Sequence, residues 1–246
     1  MNETLSLLYS HHSDRSFTDK PVSEEDLRSI LEAARRAPTS KNSQHVSMVV
    51  VRDAGRRARI AEAAGGQKWI ATAPVFIAVI LDFYKTGIGV EVAGEKQDIQ
   101  ETVEGLLAGV TDVGIALAAM IDAARSLGLG IVPLGGIRRN PQAMIDVLEI
   151  PHLAFPLVGL SIGYVDKPAT LKPRLPMETF RHDERYHTEG IREAIVEYDA
   201  TMLEYWKSID RPDGKTWSLN TAESYKESGS RPVKAAINKQ GITFER

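Results

Sequence analysis

Four short polar clusters carry side chains that suit phosphates and the polar edges of rings. The first is H-H-S-D-R-S-F at residues 11–17, where a histidine, a serine and an arginine alternate near the predicted end of a helix. Two neutral donors beside a fixed guanidinium can bind a phosphate or a ring carbonyl. Taken alone, this cluster is better explained as a solvated helix end.

The second and third clusters lie on predicted loops. The second, P-T-S-K-N-S-Q at residues 38–44, contains only hydrogen-bonding side chains after its proline, and a polar turn explains it when it stands alone. The third is G-G-Q-K at residues 65–68, where paired glycines let the backbone approach a ligand closely. A helix C-cap also explains the glycines, but not the amide and ammonium that follow them.

The fourth cluster has two parts. L-G-G at residues 134–136 follows a predicted strand, so its backbone N–H groups can face a ligand. K-P-R at residues 172–174 places two cations on a backbone that proline restrains, which is the form of a phosphate clamp. Each of the four patterns is weak without the others.

Composition and missing motifs exclude several classes of protein. A formal net charge of -3 gives no global basic excess for binding nucleic acid. The absence of cysteine excludes disulfides, thiolate nucleophiles and Cys-ligated metals. A P-loop and an H-E-x-x-H zinc motif are also absent. Gly128 and Gly130 precede a predicted strand and are followed by Pro133, which argues against a Rossmann site.

Metal and membrane sites are not expected either. His182, Glu184 and His187 lie on a charged loop, where solvated side chains are the stronger interpretation. Residues 102–126 are strongly apolar but interrupted by Asp112 and other charges, so they do not predict a membrane span. With no secretory signal pattern at the N-terminus, the sequence predicts a soluble cytoplasmic protein.

Hydrophobic periodicity predicts the elements that hold these clusters. Strands are predicted over residues 46–51, 75–81, 129–134 and 157–165. Helices are predicted from Asn2, between Ser23 and Pro38, and over residues 56–64, 102–126, 141–148 and 191–206. Helix 102–126 is apolar all round and is expected to be buried on every side, in the core or at a subunit interface. This irregular alternation predicts one α+β domain over residues 1–246.

The tail, residues 210–246, shows turn signals, two apolar clusters and little periodicity. It is too long for a frayed end and too irregular for a domain. We therefore expect a C-terminal arm, from about residue 207 onwards, to pack on a partner subunit.

Together and in this order, the clusters resemble the FMN-dependent nitroreductase family, in its NADPH-preferring branch of oxygen-insensitive nitroreductases and flavin reductases. The resemblance covers nearly the whole chain. It is carried by H-x-S-x-R-x-F at 11–17 with T-D-x-P at 18–21, G-G-Q-K at 65–68, S-L-G-L-G with G-G-I-R at 126–138, P-L-x-G-L-x-x-G at 156–163, L-K-P-R-L-P at 171–176 and S-R-P near 230. Six ordered matches are specific, although none is specific alone.

The resemblance implies a mostly antiparallel sheet flanked by helices, in an intertwined homodimer with flavin sites at the interface. It assigns the chemistry to bound FMN, with no side chain as general acid or base. Arg15 would lie at the pyrimidine edge of the flavin and favour its reduced, anionic form. The implied FMN ligands are His11, His12, Ser13, Arg15, Thr39, Ser40, Gln67, Lys68, Leu134, Gly135, Gly136, Lys172 and Arg174. Among these, the flavin phosphate would be held by His11, Ser13, Lys172 and Arg174.

The implied activity is hydride transfer from NADPH to a small-molecule acceptor such as a nitroaromatic, a quinone or a free flavin. Arg211 and Lys215, before T-W-S at 216–218, would bind the NADPH 2′-phosphate, with NADH as a possible cosubstrate. The chain departs from the family pattern at His12, Lys41, Asn42 and Pro133, which affects the acceptor range more than the cofactor. A flavin-dependent dehalogenase and a non-catalytic flavin carrier or redox sensor remain alternatives.

Overall fold

The computed structural model describes residues 1–228 and 232–246, which form two compact units. The first, here named the sheet unit, comprises Met1–Ala169 and Pro232–Arg246. The second, here named the helical unit, comprises Thr170–Arg231. Ser230 and Arg231 of the S-R-P motif lie outside the described residues.

The sheet unit contains four strands in the order β1-β2-β4-β3, and every neighbouring pair is antiparallel. The strands are β1 Val46–Val51, β2 Val75–Asp82, β3 Gly130–Leu134 and β4 Ala154–Gly163. All four were predicted from apolar runs, although β4 begins and ends earlier than expected. The antiparallel sheet implied by the family resemblance is thereby confirmed.

A bulge lets β4 carry a proline in the interior of the sheet. The register shifts between Val79 and Ile80 of β2, which pair with Val158 and Pro156. Proline cannot donate to a sheet ladder, so it is tolerated where the ladder is already interrupted. Every residue of β2 is buried, as expected for a continuous apolar run.

Eight helices belong to the sheet unit and two to the helical unit, within the part of the chain that the structure describes. Side chains that cap N-termini begin several of them: Ser23 accepts from Asp26 N–H, and Asn140 accepts from Ala143 N–H. The helices are α1 Glu3–Tyr9, α2 Glu24–Arg35, α3 Ala54–Ala63, α4 Lys68–Thr72, α5 Phe83–Val92, α6 Val103–Ser126, α7 Pro141–Leu148, α8 Ile191–Ser208, α9 Trp217–Ser228 and α10 Val233–Lys239.

Helix α6 crosses the sheet unit but is buried on one side only. It packs on α2 and on the sheet, and a side chain at Gly109 would overlap Leu81 of β2. Val103 and Leu107 are 50% and 58% exposed, so the expectation of burial on every side is wrong within this chain. By length and composition alone α6 could also cross a membrane, a test that core helices of soluble proteins pass as well.

The C-terminal tail is more regular than the sequence predicted. It contains α9 and α10, and Ile237 and Ile242 are buried in the core of the sheet unit. The Gln240 amide donates to the carbonyls of Pro151 and Ala154, both at 2.9 Å. The last fifteen residues are thus part of their own chain's core. Packing of the arm on a partner stays a prediction.

Candidate functional site

The first and third clusters meet beside one tryptophan. The guanidinium carbon of Arg15 lies 5.4 Å from the centroid of the Trp69 ring, within the range of cation–π attraction. Arg15, Gly66, Lys68 and Trp69 line a cavity of about 520 Å³ together with Ser16, Phe17 and Thr72. The structure therefore brings Arg15 and Lys68, both predicted ligands, to one opening.

The third cluster also meets the glycines that follow β3. The Gln67 side chain lies directly over Gly136, where an added Cβ would collide with its amide nitrogen. Gln67 Oε1 is buried and accepts no hydrogen bond from any described residue. Gly136 is thus a glycine because the close approach of Gln67 leaves no room for a side chain. Leu134 ends β3 as a buried residue, and Gly135 begins the short 3-10 helix that follows.

Asp14 anchors the first cluster, and the sequence did not single it out. Its N–H donates to the Ile131 carbonyl of β3 at 2.8 Å, and its carboxylate accepts from the Ala169 N–H at 3.1 Å. Asp14 is only 3% exposed. Because it points into the protein, its neighbours Ser13 and Arg15 are held at a fixed place on the edge of the sheet.

His12 supports the same anchor. Its Nδ1 lies 2.8 Å from the Ser10 carbonyl, and its Nε2 lies 3.4 Å from the Asp14 carboxylate. One ring nitrogen therefore faces a partner within the first cluster, and the other faces Ser10 just before it. This placement gives His12 a role in orienting the segment; its predicted contact with FMN stays a prediction.

The second cluster is held by a buried acid–imidazole pair on a different side of the sheet unit. The Ser40 N–H donates to Asp112 of α6 at 2.9 Å, and His45 Nε2 lies 2.8 Å from the same carboxylate. His45 Nδ1 lies 3.0 Å from the Ser43 hydroxyl. His45 is thus the buried partner of the Asp112 carboxylate. Lys41 and its neighbours line a separate apolar cavity of about 340 Å³.

The backbone of residues 39–44 is unusual. Lys41, Asn42 and Gln44 all have φ between 51° and 56°, the left-handed region that non-glycine residues seldom adopt. Such a conformation persists only when its surroundings hold it in place. The Asp112–His45 pair holds both ends of this turn through Ser40 and Ser43.

In the helical unit, side chains of helix α8 contact the segment that carries Lys172 and Arg174. The Tyr198 hydroxyl donates to the Pro173 carbonyl at 2.8 Å, between Lys172 and Arg174. The Tyr205 and Thr170 hydroxyls lie 2.5 Å apart, and Lys172 Nζ lies 5.0 Å from the Trp206 ring centroid. Aromatic residues of one helix thus fix the K-P-R segment.

The Tyr198 hydroxyl, which holds this segment, lies in an environment that shifts its pKa. Burial raises the pKa of the Tyr198 hydroxyl, although the positive charge of Arg174 acts in the opposite direction. Tyr198 therefore keeps its proton, and its hydrogen bond to Pro173, through the neutral range.

Comparison with known proteins agrees with this arrangement. A model of the nitroreductase family matches residues 8–164, and a model of the C-terminal domain of that family matches residues 172–245. The chain belongs to the nitroreductase family.

Individual members of the family match along the full chain. An FMN reductase [NAD(P)H] of Bacillus subtilis is 41% identical, with 100% of both chains covered. An oxygen-insensitive NADPH nitroreductase of Salmonella typhimurium is 32% identical, with 98% of both covered. The solved structure of B. megaterium NfrA2 superimposes with a TM-score of 0.96 at 38% identity, and both chains are covered completely. The predicted family and fold are thereby confirmed.

The residues of the sheet unit fit the flavin that nitroreductase family membership implies. Gln67 Oε1 and Trp69 Nε1 are buried polar atoms without a hydrogen-bond partner among the described residues. Buried polar groups are nearly always satisfied, so this amide acceptor and this indole donor indicate a polar ligand. The Trp69 ring is the one that faces Arg15. Gly136 lies directly against the same Gln67 amide.

Proposed function

We propose that this member of the nitroreductase family is an FMN-dependent NAD(P)H oxidoreductase. The observation that carries the proposal is a pair of unsatisfied buried polar atoms, Gln67 Oε1 and Trp69 Nε1, the second of which belongs to the ring that faces the Arg15 guanidinium. The names of the relatives from B. subtilis and S. typhimurium support the same chemistry.

Arg15 and Gln67 would each contact the bound flavin. When bound, FMN supplies hydride transfer between the pyridine nucleotide and an acceptor. Arg15 would lie at the pyrimidine edge, where its positive charge favours the reduced flavin. Gln67 would accept a hydrogen bond through its free Oε1 and so orient the ring. The further ligands are His11, His12, Ser13, Thr39, Ser40, Lys68, Leu134, Gly135, Lys172 and Arg174.

The family resemblance also indicates the cosubstrate and the electron acceptor. We propose that NADPH and the acceptor occupy the same place in turn, with a nitroaromatic, quinone or free flavin as acceptor. Arg211 and Lys215 would bind the NADPH 2′-phosphate, and NADH would be used less well. Since FMN carries the electrons, this chain needs no side chain as general acid or base.

We also propose that the protein is a homodimer located in the cytoplasm, and exposed apolar residues on α6 support the dimer. Val103, Leu107 and Val110 are spaced as one helix face, and each is at least 40% exposed in the single chain. A contiguous apolar face of this kind marks an interaction surface. A second copy of the chain would cover it, with the C-terminal arm contributing to the contact. Sedimentation of a monomer at micromolar concentration would contradict this part of the proposal.

Replacing Arg15 with alanine tests the proposed role of the guanidinium. Loss of one charge-assisted contact is expected to weaken FMN binding about tenfold, or to slow flavin reduction to the same extent. Arg28→Ala, at an exposed arginine of α2, is the matched control and should change neither quantity. If Arg15→Ala also leaves both at the wild-type value, Arg15 has no role at the flavin.

The kinetic pattern tests the shared site. Initial rates measured against NADPH at several acceptor concentrations should give parallel double-reciprocal lines, since NADP⁺ must leave before the acceptor binds. Intersecting lines would show that both substrates bind together and would overturn this order.

A further inference from the structure

Trp69 lies outside every motif of the sequence, directly after G-G-Q-K at residues 65–68. It belongs to the short helix α4, and Gln67 is the N-cap residue of the same helix. Gln67 Oε1 and Trp69 Nε1 are both buried, and neither has a hydrogen-bond partner among the described residues. Two residues of one helical turn therefore offer an unused acceptor and an unused donor.

This pair of groups matches the pyrimidine ring of a flavin in kind. That ring carries one N–H group between two carbonyl groups, so it needs both an acceptor and donors from the protein. The indole N–H of Trp69 can only donate, so its partner in a ligand must be an acceptor such as a carbonyl. A buried donor without a partner is destabilising, and a ligand that supplies a carbonyl removes this cost.

The face of the same indole holds the guanidinium of Arg15, whose carbon lies 5.4 Å from the ring centroid. The backbone beside Arg15 is fixed, because the Asp14 carboxylate accepts from the Ala169 N–H at 3.1 Å. The Arg15 side chain itself is exposed, donates to the Ser13 carbonyl at 3.3 Å, and forms no ion pair within the described part of the chain. The position of its charge therefore depends largely on the indole face.

We infer that Trp69 is a further flavin-binding residue with two roles. Its indole N–H donates to a carbonyl of the pyrimidine ring, which adds affinity for FMN. Its face positions the Arg15 guanidinium beside that ring, which favours the negative charge that the flavin gains on reduction. The inference rests on the proposed dependence on FMN, and it adds Trp69 to the ligands that the family resemblance implies.

The indole N–H signals of ¹⁵N-labelled protein test the donor role without an enzyme assay. The chain contains three tryptophans, so the signal that is absent from Trp69→Phe belongs to Trp69. Between flavin-free and FMN-loaded protein, this signal should move downfield more than the other two. Trp69→Phe should also bind FMN about fivefold more weakly, because one hydrogen bond is lost. A Trp69 signal that does not move on FMN binding would overturn the donor role.

The reduction potential of the bound flavin, measured against a reference dye during reduction by dithionite, tests the role of the ring face. Trp69→Leu should lower the affinity for reduced relative to oxidised flavin about fivefold, which is about 20 mV for a two-electron couple. Trp69→Phe retains an aromatic face and should lie between Trp69→Leu and the wild type. An unchanged potential in Trp69→Leu would overturn the positioning role.

A double-variant comparison links this effect to Arg15. In an Arg15→Ala background no cation remains for the ring to hold, so Trp69→Phe and Trp69→Leu should give the same potential. A difference between them that persists in this background would show that the ring acts through another group, and would also overturn the positioning role.

Tyr84 of α5, which is 48% exposed, provides the matched control within the sheet unit. Tyr84→Phe removes a polar hydrogen and Tyr84→Leu removes a ring, and neither should change the FMN affinity or the potential. If Trp69→Leu does not fold, Trp69→Phe and the indole signals decide. A wild-type protein that binds no FMN would contradict the proposed function. Normal FMN binding and reduction by NAD(P)H, with an unmoved Trp69 signal, would contradict only this inference.

Discussion

The sheet unit holds its polar residues with a buried core, whereas the helical unit holds its cations with the aromatic side chains of one helix. In the sheet unit, Phe76 and Phe155 are fully buried, and the acidic residues Asp14 and Asp112 are buried as well. In the described part of the helical unit only Tyr198 and Met202 are buried. The geometry of Lys172 and Arg211 therefore depends on single anchors, Trp206 above all.

Because of this difference, flavin binding and anion binding should respond differently to substitution. Substitutions in the sheet unit should change flavin binding and stability together, because the same packed groups serve both. Substitutions in the helical unit should change the choice or affinity of anions with little effect on stability, since little apolar surface is buried there.

The largest effect is expected from Gly136→Val. Its side chain would displace the Gln67 amide that lies against the Gly136 backbone, which is expected to cost about 3 kcal/mol. FMN should therefore bind roughly a hundredfold more weakly, as measured by flavin fluorescence on titration. Gly89→Ala, at an exposed glycine of α5 with no neighbouring atoms, is the control. Normal FMN binding by Gly136→Val would place the flavin away from Gln67.

His45→Ala should have the next largest effect, chiefly on stability. Removing the imidazole leaves Asp112 buried with the Ser40 N–H as its remaining partner, and such a loss is expected to cost about 3 kcal/mol. Urea denaturation measures the free energy of unfolding. Asp112→Asn and the double variant complete a cycle that should show a coupling energy above about 1 kcal/mol. Additive effects would mean that the two side chains do not interact.

The smallest of these effects is expected from Tyr198→Phe in the helical unit. Loss of the hydrogen bond to the Pro173 carbonyl should loosen the K-P-R segment by about 1 kcal/mol, or roughly fivefold in FMN affinity. Because burial raises the pKa of Tyr198, the phenol stays protonated and the difference should be constant from about pH 6 to about pH 9. The melting temperature should hardly change. A large loss of stability would contradict the claim that substitutions in the helical unit have little effect on stability.

Much of the sheet unit could be predicted from the sequence because its signals are local. Continuous apolar runs predicted β1 and β2, and the caps Ser23 and Asn140 predicted where α2 and α7 begin. Helix α5 was missed because it contains two glycines. Its first turn depends instead on the Asp82 cap and on a hydrogen bond from distant Gln97 to the Phe83 carbonyl.

The family resemblance predicts Arg15, Gln67 and Gly136 as residues of one flavin site, but the groups that support them were not predicted. The structure places Arg15 against Trp69 and Gln67 against Gly136, and their contacts with FMN stay a prediction. Asp14 and His45 act through partners more than 60 residues away in the chain, which no local pattern reveals. The contacts of Trp206 were not predictable from the sequence either, because they depend on how residues 211–215 fold back onto the indole.

The most direct test of the central claim is the visible absorption spectrum of the purified protein, recorded without oxygen before and after addition of NADPH. An FMN-dependent NAD(P)H oxidoreductase should show a flavin band that bleaches on addition. A flavin band that persists would contradict the reductase activity and favour a flavin carrier or a different flavin reaction. A protein that shows no flavin band, even after incubation with FMN, would contradict the assignment of the cofactor itself.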